Sequence, residues 1–306
     1  MTKTPLVSIC CITYNHAPFI RQSLDGMLMQ EGVDFEILIH DDCSTDGTTE
    51  IVKEYAAKYP DKIFPLYETE NQYSKGIWVD ALNYSRARGV YIADCEGDDY
   101  WIDSRKLLKQ IDFLNNHQDF SVCFCRCNHL SIKTGEMSRD INCDRWLTIE
   151  SNGIEVSTPM FFYSWITQPL TMVYRVEYLS LEKCKKYKHY WDTYFIYDLL
   201  QEGKGYLMNF VGGVHIHTGK GISSGLDQIG ACQFELASAD ELHAVHRNRD
   251  TYKYWCTTVE WARKTYLAHK RIDLTIRLFF DELKLFPIKT LILYLKIYKR
   301  SVFMCI

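Results

Sequence analysis

Nowhere among the 306 residues does the chain hold the roughly 18–20 uninterrupted apolar residues that a membrane-crossing helix needs. The best candidate, TLILYL at 290–295, is cut off by Lys296. The opening MTKTPLVSICC carries too short an apolar run for a secretory leader. No internal repeat and no low-complexity linker divides the sequence. Without a leader, the twelve cysteines, at strand-like positions such as Cys10 and Cys11, read as reduced thiols rather than a disulfide framework. The expected compartment is therefore the cytoplasm.

The composition, 47% hydrophobic and 24% charged, suffices for one large domain or two smaller ones, each with a real core. The net charge of −4 hides an asymmetry: residues 263–306 hold ten Lys/Arg against three acids, a balance of +7 that leaves −11 for residues 1–262. Aromatics interleave that tail (Phe279, Phe280, Phe286, Tyr294, Tyr298, Phe303). The mixture fits either a solvated helix face or peripheral contact with the inner face of the cell membrane, and suits a membrane surface better than nucleic acid.

Residues 1–100 alternate between strand and helix patterns. LVSICCIT (6–13) is a short apolar run of the kind buried in a parallel sheet, and Ile20, Leu24, Met27 and Leu28 follow at helical spacing behind Pro18. FEILIH (35–40) reads as a second strand, and DDCSTDGT supplies the turn into a helix that ends before Pro60. KIFPLYE, a helix near 78–88 and VYIADC complete the series. Such alternation predicts an α/β fold, a Rossmann-like, mostly parallel twisted sheet flanked by helices. A helix from about 105, irregular chain over 134–165, a helix near 193–202, strands at 206–210 and 214–217, and a helical C-terminal third follow.

Ligands of such sheets bind at the carboxyl ends of the strands. Those ends hold Thr13, Tyr14 and Asn15, then Asp41 and Asp42, then Glu96, Asp98 and Asp99. The last three acids repel one another unless the stretch is a solvated turn capping the helix near Arg105 or a cation sits among them. Hard oxygen donors suit Mg²⁺ or Mn²⁺, ions that usually share their coordination with substrate phosphates. Trp101, beside the charged turn, wants a surface to lie against, as a sugar or pocket edge would offer. One of Asp41 and Asp42 can accept from a nucleobase or ribose, while Ser44 or Asp46 could cap the next helix. Cys123, Cys125, Cys127 and His129 share a strand face at period two, but an extended strand cannot wrap an ion, so they read as buried thiols.

TYN (13–15), HDDCSTDGT (40–48), GVYIADCEGDDYW (89–101) and KLLKQIDFL (106–114), in that order and spacing, resemble the family 2 glycosyltransferases of GT-A fold over about the first 225 residues. The resemblance implies a catalytic domain over 1–225 and a helical C-terminal region over 226–306. It implies an inverting, metal-dependent enzyme that moves a sugar from a nucleotide diphosphate donor, UDP favoured, to a saccharide or lipid-linked acceptor. Thr13, Tyr14, Asn15, Asp41, Asp42 and Asp98 would hold the nucleotide, and Asp99, Asp98 and His217 the Mn²⁺ or Mg²⁺. The catalytic base matches Asp192, with Asp198 as fallback, and Trp101 and Trp191 would line the sugar and acceptor pocket. Apart from the resemblance, Lys220 with the amides of Gly219 and Gly221 forms a basic loop that is either a phosphate contact or, as is commoner for a lone basic loop, simply solvated. Two departures stand out: Ile12 replaces a proline common before TYN, and Glu96 takes the place of an aspartate. The alternatives are a nucleotidyltransferase, which wants a glycine-rich basic loop where TYNHAPFI stands, and a non-catalytic nucleotide-sugar-binding subunit.

Overall fold

The computed structural model describes residues 4–285, except 167, 190, 220 and 222–224. Lys220 and the tail aromatics Phe286, Tyr294, Tyr298 and Phe303 thus lie outside the described residues. The chain opens with β1 (Val7–Thr13), α1 (Ile20–Leu28), β2 (Phe35–Asp41), α2 (Thr48–Lys58), β3 (Ile63–Tyr67), α3 (Val79–Tyr84) and β4 (Tyr91–Asp94). The strands β3, β2, β1 and β4 lie side by side and parallel. Every residue of β2 is buried, which is why Ile37, Leu38 and Ile39 run apolar without alternation, with Glu36, His40 and Asp41 buried among them.

The chain continues through β5 (Tyr100–Trp101), α4 (Lys106–Asn116), β6 (Phe120–Ser131), β7 (Met137–Arg139), β8 (Gly153–Val156), α5 (Thr158–Tyr163), β9 (Val173–Arg175), α6 (Leu181–Cys184), α7 (Asp192–Glu202) and β10 (Lys204–His217). Antiparallel β9 joins β4 to β6, β10 runs parallel to β6, and β5 and β8 pair antiparallel with β10. Most paired residues lie in parallel ladders, so the α/β, mostly parallel sheet expected from the sequence is the one formed. Helix α1 packs straight onto β5: a Cβ on Gly26 would stand 2.8 Å from the Trp101 carbonyl oxygen. That contact fixes the acid-bearing stretch between β4 and β5 against the first helix.

The sequence reading missed some local structure. Residues 134–165 are not irregular throughout but contain β7, β8 and α5. The two strands expected at 206–210 and 214–217 are one, β10, whose register against β6 shifts between Leu207 and Gly213 and so breaks the pattern.

The chain divides into two compact units, residues 1–224 and 225–306. The second holds α8 (Gln228–His246), α9 (Arg249–Ala268) and α10 (Ile272–Leu285) around Cys232, Ala239, Trp255, Val259, Ala262, Tyr266 and Leu278. Asn248 and Thr251 form a capping box at the start of α9. Some of the tail's positive charge is neutralised locally: Arg263 is buried against Glu282, Lys264 pairs with Glu260, and Arg271 pairs with Asp273. Among the described residues, no helix is long and apolar enough to cross a membrane.

Candidate active site

The acid loop is laced to the end of β1. Beyond β4 the ladder continues, with the Cys95 amide donating to the Cys10 carbonyl at 3.0 Å and the Gly97 amide to the Ile12 carbonyl at 2.9 Å. Gly97 is the contact point: a Cβ there would stand 2.6 Å from Thr13 Oγ1 and 2.8 Å from its Cβ. Thr13 Oγ1 and His16 Nδ1, both buried around this glycine, make no hydrogen bond within the protein. Gly97→Ala should therefore push the loop off β1. We expect at least a roughly 10-fold loss of activity with little change in far-UV circular dichroism, since a shift of about 1 Å at a catalytic site can cost more than that.

Asp99 is held most firmly. It is only 2% exposed. Its Oδ1 accepts from the Ile216 amide at 2.8 Å, and His215 Nδ1 lies 3.0 Å from Oδ2. Asp98 lies 3.7 Å from His16 Nε2. Burial, followed by the charges of Asp98, Asp99, Asp192 and Asp80, pushes the Glu96 carboxyl well up. Burial also raises Asp98, against the opposing pull of His16. Burial pulls His215 down, but its hydrogen bond to Asp99 and the surrounding acids outweigh this and leave it raised.

Asp192 opens α7. It is not the cap of that helix: the N-cap is Trp191, with no side-chain cap bond. Asp192 is exposed to solvent, although protein atoms crowd around its carboxyl. Burial and then the Asp80 charge push it up to about 7, a shift that solvent at this exposed residue partly screens. Asp80 itself, on the first turn of α3, is pushed up by burial to about 6. Histidines 16 and 215 face Asp98, and His215 also faces Asp192. Five carboxylates against two histidines is a donor set that fits a divalent cation.

The loops after β1 and β2 brace one another. The Asn15 amide donates to Ser44 Oγ at 2.9 Å, and the Thr45 amide donates to Asn15 Oδ1 at 2.8 Å. Both loops carry a non-glycine residue in the left-handed region, Asn15 at φ 57° and Cys43 at φ 66°. Asp41 accepts from the Ser44 amide at 3.1 Å and from the Thr49 hydroxyl, while Asp46 serves the start of α2 by accepting from the Thr48 amide. Asp42 pins a neighbouring segment, accepting from the amides of Gln72 and Tyr73 at 2.6 and 3.1 Å. Tyr14, 47% exposed, projects from the same rim.

Other expected site residues lie elsewhere. Trp101, read from the sequence as a pocket wall, is only 2% exposed; its Nε1 donates to the Leu170 carbonyl and Lys106 Nζ sits 4.3 Å from its ring. It belongs to the core, because β5 is drawn onto β10 beneath α1. Trp191 remains half-buried beside Asp192 and stacks on His189. Asp198 is engaged by Lys186 and the Tyr187 hydroxyl. His217 shares a face with His215, as strand alternation requires, but its nearest ring nitrogen partner is His129 Nδ1, at 3.1 Å. The sequence reading missed Asp80 and His215 as members of the cluster. The period-two spacing of His215 and His217 in HIHTGKG puts both on one strand face; Asp80 carries no signal beyond an acid in a helical run.

Solved structures with this fold include S. aureus TarS 1–349 in complex with UDP-GlcNAc, at TM-score 0.58 and 16% identity over 84% of this chain and 70% of that one. A second is the mannosyltransferase PcManGT from Pyrobaculum calidifontis in complex with GDP-Man and Mn²⁺, at TM-score 0.58 and 16% identity over 98% of this chain and 81% of that one. The architecture is that of the GT-A glycosyltransferases. The sequence profile of glycosyl transferase family 2 matches residues 8–191, and the chain belongs to that family. Similar sequences include the putative glycosyltransferase EpsE of Bacillus subtilis, 37% identical over 40% of this chain and 43% of that protein. The putative teichuronic acid biosynthesis glycosyltransferase TuaG of the same organism is 37% identical over 36% of this chain and 42% of that protein. An uncharacterized protein of Mycobacterium tuberculosis is 45% identical over 39% of this chain and 34% of its own length. The chain thus spans less than half the length of the relatives it matches.

Proposed function

We propose that the chain transfers a sugar from a nucleotide diphosphate sugar, UDP-linked by preference, to a hydroxyl of a saccharide or lipid-linked acceptor in cell-surface polysaccharide synthesis. The observation that carries this reading is the convergence of Asp80, Glu96, Asp98, Asp99 and Asp192 at the carboxyl edge of the sheet, with His16 beside Asp98 and His215 beside Asp98, Asp99 and Asp192. In TarS and PcManGT, the same fold is seen with a nucleotide sugar bound.

Tyr14 and one of Asp41 and Asp42 hold the nucleoside, on the rim built by the braced loops. Thr13 and Asn15 shape that rim from beneath, and Trp191 flanks the acceptor side. Asp98 and Asp99 hold a divalent ion, Mn²⁺ or Mg²⁺, with His217 the solvent-open histidine of the same face. That ion supplies charge neutralisation for the departing diphosphate. Asp192, poised near neutrality, takes the proton of the attacking acceptor hydroxyl. Attack from the side opposite the leaving group inverts the anomeric centre, through an oxocarbenium-like transition state. His215, tethered to Asp99, keeps that carboxylate aimed and offers positive charge beside it.

The test is a panel of UDP-, dTDP- and GDP-sugars with Mn²⁺ or Mg²⁺, scored for nucleotide release. Release from one nucleoside class only, abolished by chelator, supports the reading; no donor turned over under any condition argues for a binding subunit instead.

A pH profile follows from Asp192. Because the base works deprotonated and its carboxyl is raised to about 7, kcat/KM should climb about tenfold per pH unit below 7 and level off above it. Asp80→Asn removes the like charge that helps raise it, so the midpoint should move to lower pH. An unmoved midpoint would show that Asp80 is not coupled to the base. The same shifts have a stability consequence. Raised carboxyls bind more protons folded than unfolded between about pH 4 and 7, so stability from this cluster is present below pH 4 and is lost as pH rises through 6 to 7. Added Mn²⁺ should accordingly raise Tm more at pH 8 than at pH 5.5.

A further inference from the structure

Strand β6 carries a second ligand cluster, distinct from the carboxylates. Cys127 and His129 lie on one face of the strand, which cannot close around an ion by itself. The missing donors come from the turn after β7, where Asp140 and Cys143 fold back. Ligand atoms of Cys127, His129 and Asp140 all lie within 4.8 Å of one another. Cys127 Sγ is 4.0 Å from His129 Nε2, and Cys143 Sγ is 3.0 Å from Asp140 Oδ2. Cys143 is also among the electrostatic neighbours of Cys127. Three of the four are deeply buried, Cys127 at 1%, Asp140 at 5% and Cys143 at 0% exposure.

The donor chemistry selects the ion. Two thiolates, an imidazole and a carboxylate are too soft for Mg²⁺ and suit Zn²⁺ in a closed tetrahedral site. Tetrahedral zinc, with bonds of about 2.0–2.3 Å, places its ligand atoms about 3.5 Å apart, so Cys127, His129 and Asp140 need to contract by about 1 Å, while Cys143, which lies outside that trio and donates to Asp140, must swing in by side-chain rotation to complete the set. The surroundings are arranged for it. Asp140 Oδ1 is taken by the amides of Asn142 at 2.9 Å and Cys143 at 3.4 Å, which turns Oδ2 towards the cluster. His129 Nε2 faces Cys127, while its Nδ1 faces His217 Nε2 at 3.1 Å. An ion on Nε2 fixes the tautomer, so that Nδ1–H donates to His217.

We propose that Cys127, His129, Asp140 and Cys143 bind one Zn²⁺, a structural site that fixes His129 and through it the orientation of His217. A row of three histidine rings then connects the zinc to the acid loop: the 129 and 217 rings stack at 5.2 Å, those of 217 and 215 meet edge-on at 4.7 Å, and His215 bonds to Asp99. The site does not depend on the transferase reading.

The experiment uses the full chain, purified without a metal-affinity tag and dialysed against metal-free buffer. Mass spectrometry should find about one zinc per chain, and cobalt exchange should give a thiolate-to-metal charge-transfer band. Asp140→Asn and Cys143→Ser should each lower zinc affinity roughly 10–100-fold with circular dichroism unchanged. Asp98→Asn/Asp99→Asn should keep the zinc, because the acid loop contributes no ligand. A folded wild-type chain with no stoichiometric zinc and no cobalt band overturns the proposal. So does zinc that survives both cluster variants or disappears with the acid-loop variant.

Discussion

Asp192→Asn is expected to lower kcat by roughly 10²–10⁴-fold, the usual worth of a positioned general base, with KM for the donor nearly unchanged. The geometry makes this a clean substitution. Asp192 opens α7 without capping it, so no helix end depends on its charge. Its neighbours Asp80 and Glu96 repel it, so removing the charge relieves strain in the fold and Tm should rise or hold. The acid limb of the pH profile, the rise below pH 7, should flatten at the same time. A variant that keeps more than about a tenth of wild-type kcat would assign the base elsewhere.

Asp99→Asn is expected to be nearly as damaging, about 10³-fold in kcat/KM, the several kcal/mol that neutralising a leaving diphosphate supplies. Here the loss has two sources. The loop gives up a formal charge that a divalent ion needs, and the buried carboxylate that accepts from both Ile216 and His215 is replaced by an amide whose NH₂ must face one of those donors. His215 then loses the partner that raises it and becomes neutral at lower pH. Excess Mn²⁺ should restore part of the activity if the defect is in ion affinity, and none if the loop has moved.

Much of this arrangement was visible in the sequence because the fold gathers strand ends. The apolar runs of β1, β2 and β4, and the helix signals of α2, α4 and α7, by themselves place Thr13, Asp41 and the 96–99 acids at one edge. What stayed hidden depends on contacts distant in sequence. β5 and β9 are two and three residues long and carry no periodicity of their own. Trp101 looked like a pocket wall because nothing local says that β5 will be drawn under α1 onto β10. Asp80 joins the cluster only through the packing of α3, and Asp140 meets Cys127 and His129 only because the β7 hairpin turns back on β6. The bulged β10 read as two strands because its register shift breaks the alternation that sequence reading follows.

The central claim is that the acids after β4 tolerate one another because Asp98 and Asp99 would hold a divalent ion that offsets the charge of a nucleotide's phosphates. Calorimetric titration of UDP into the full chain, with and without Mn²⁺, and repeated on Asp99→Asn, tests it most directly. The account predicts binding at least about tenfold tighter with Mn²⁺ in the wild type, and little or no such gain in the variant. Equal UDP affinity with and without the ion in the wild type, or an undiminished gain in the variant, would contradict it.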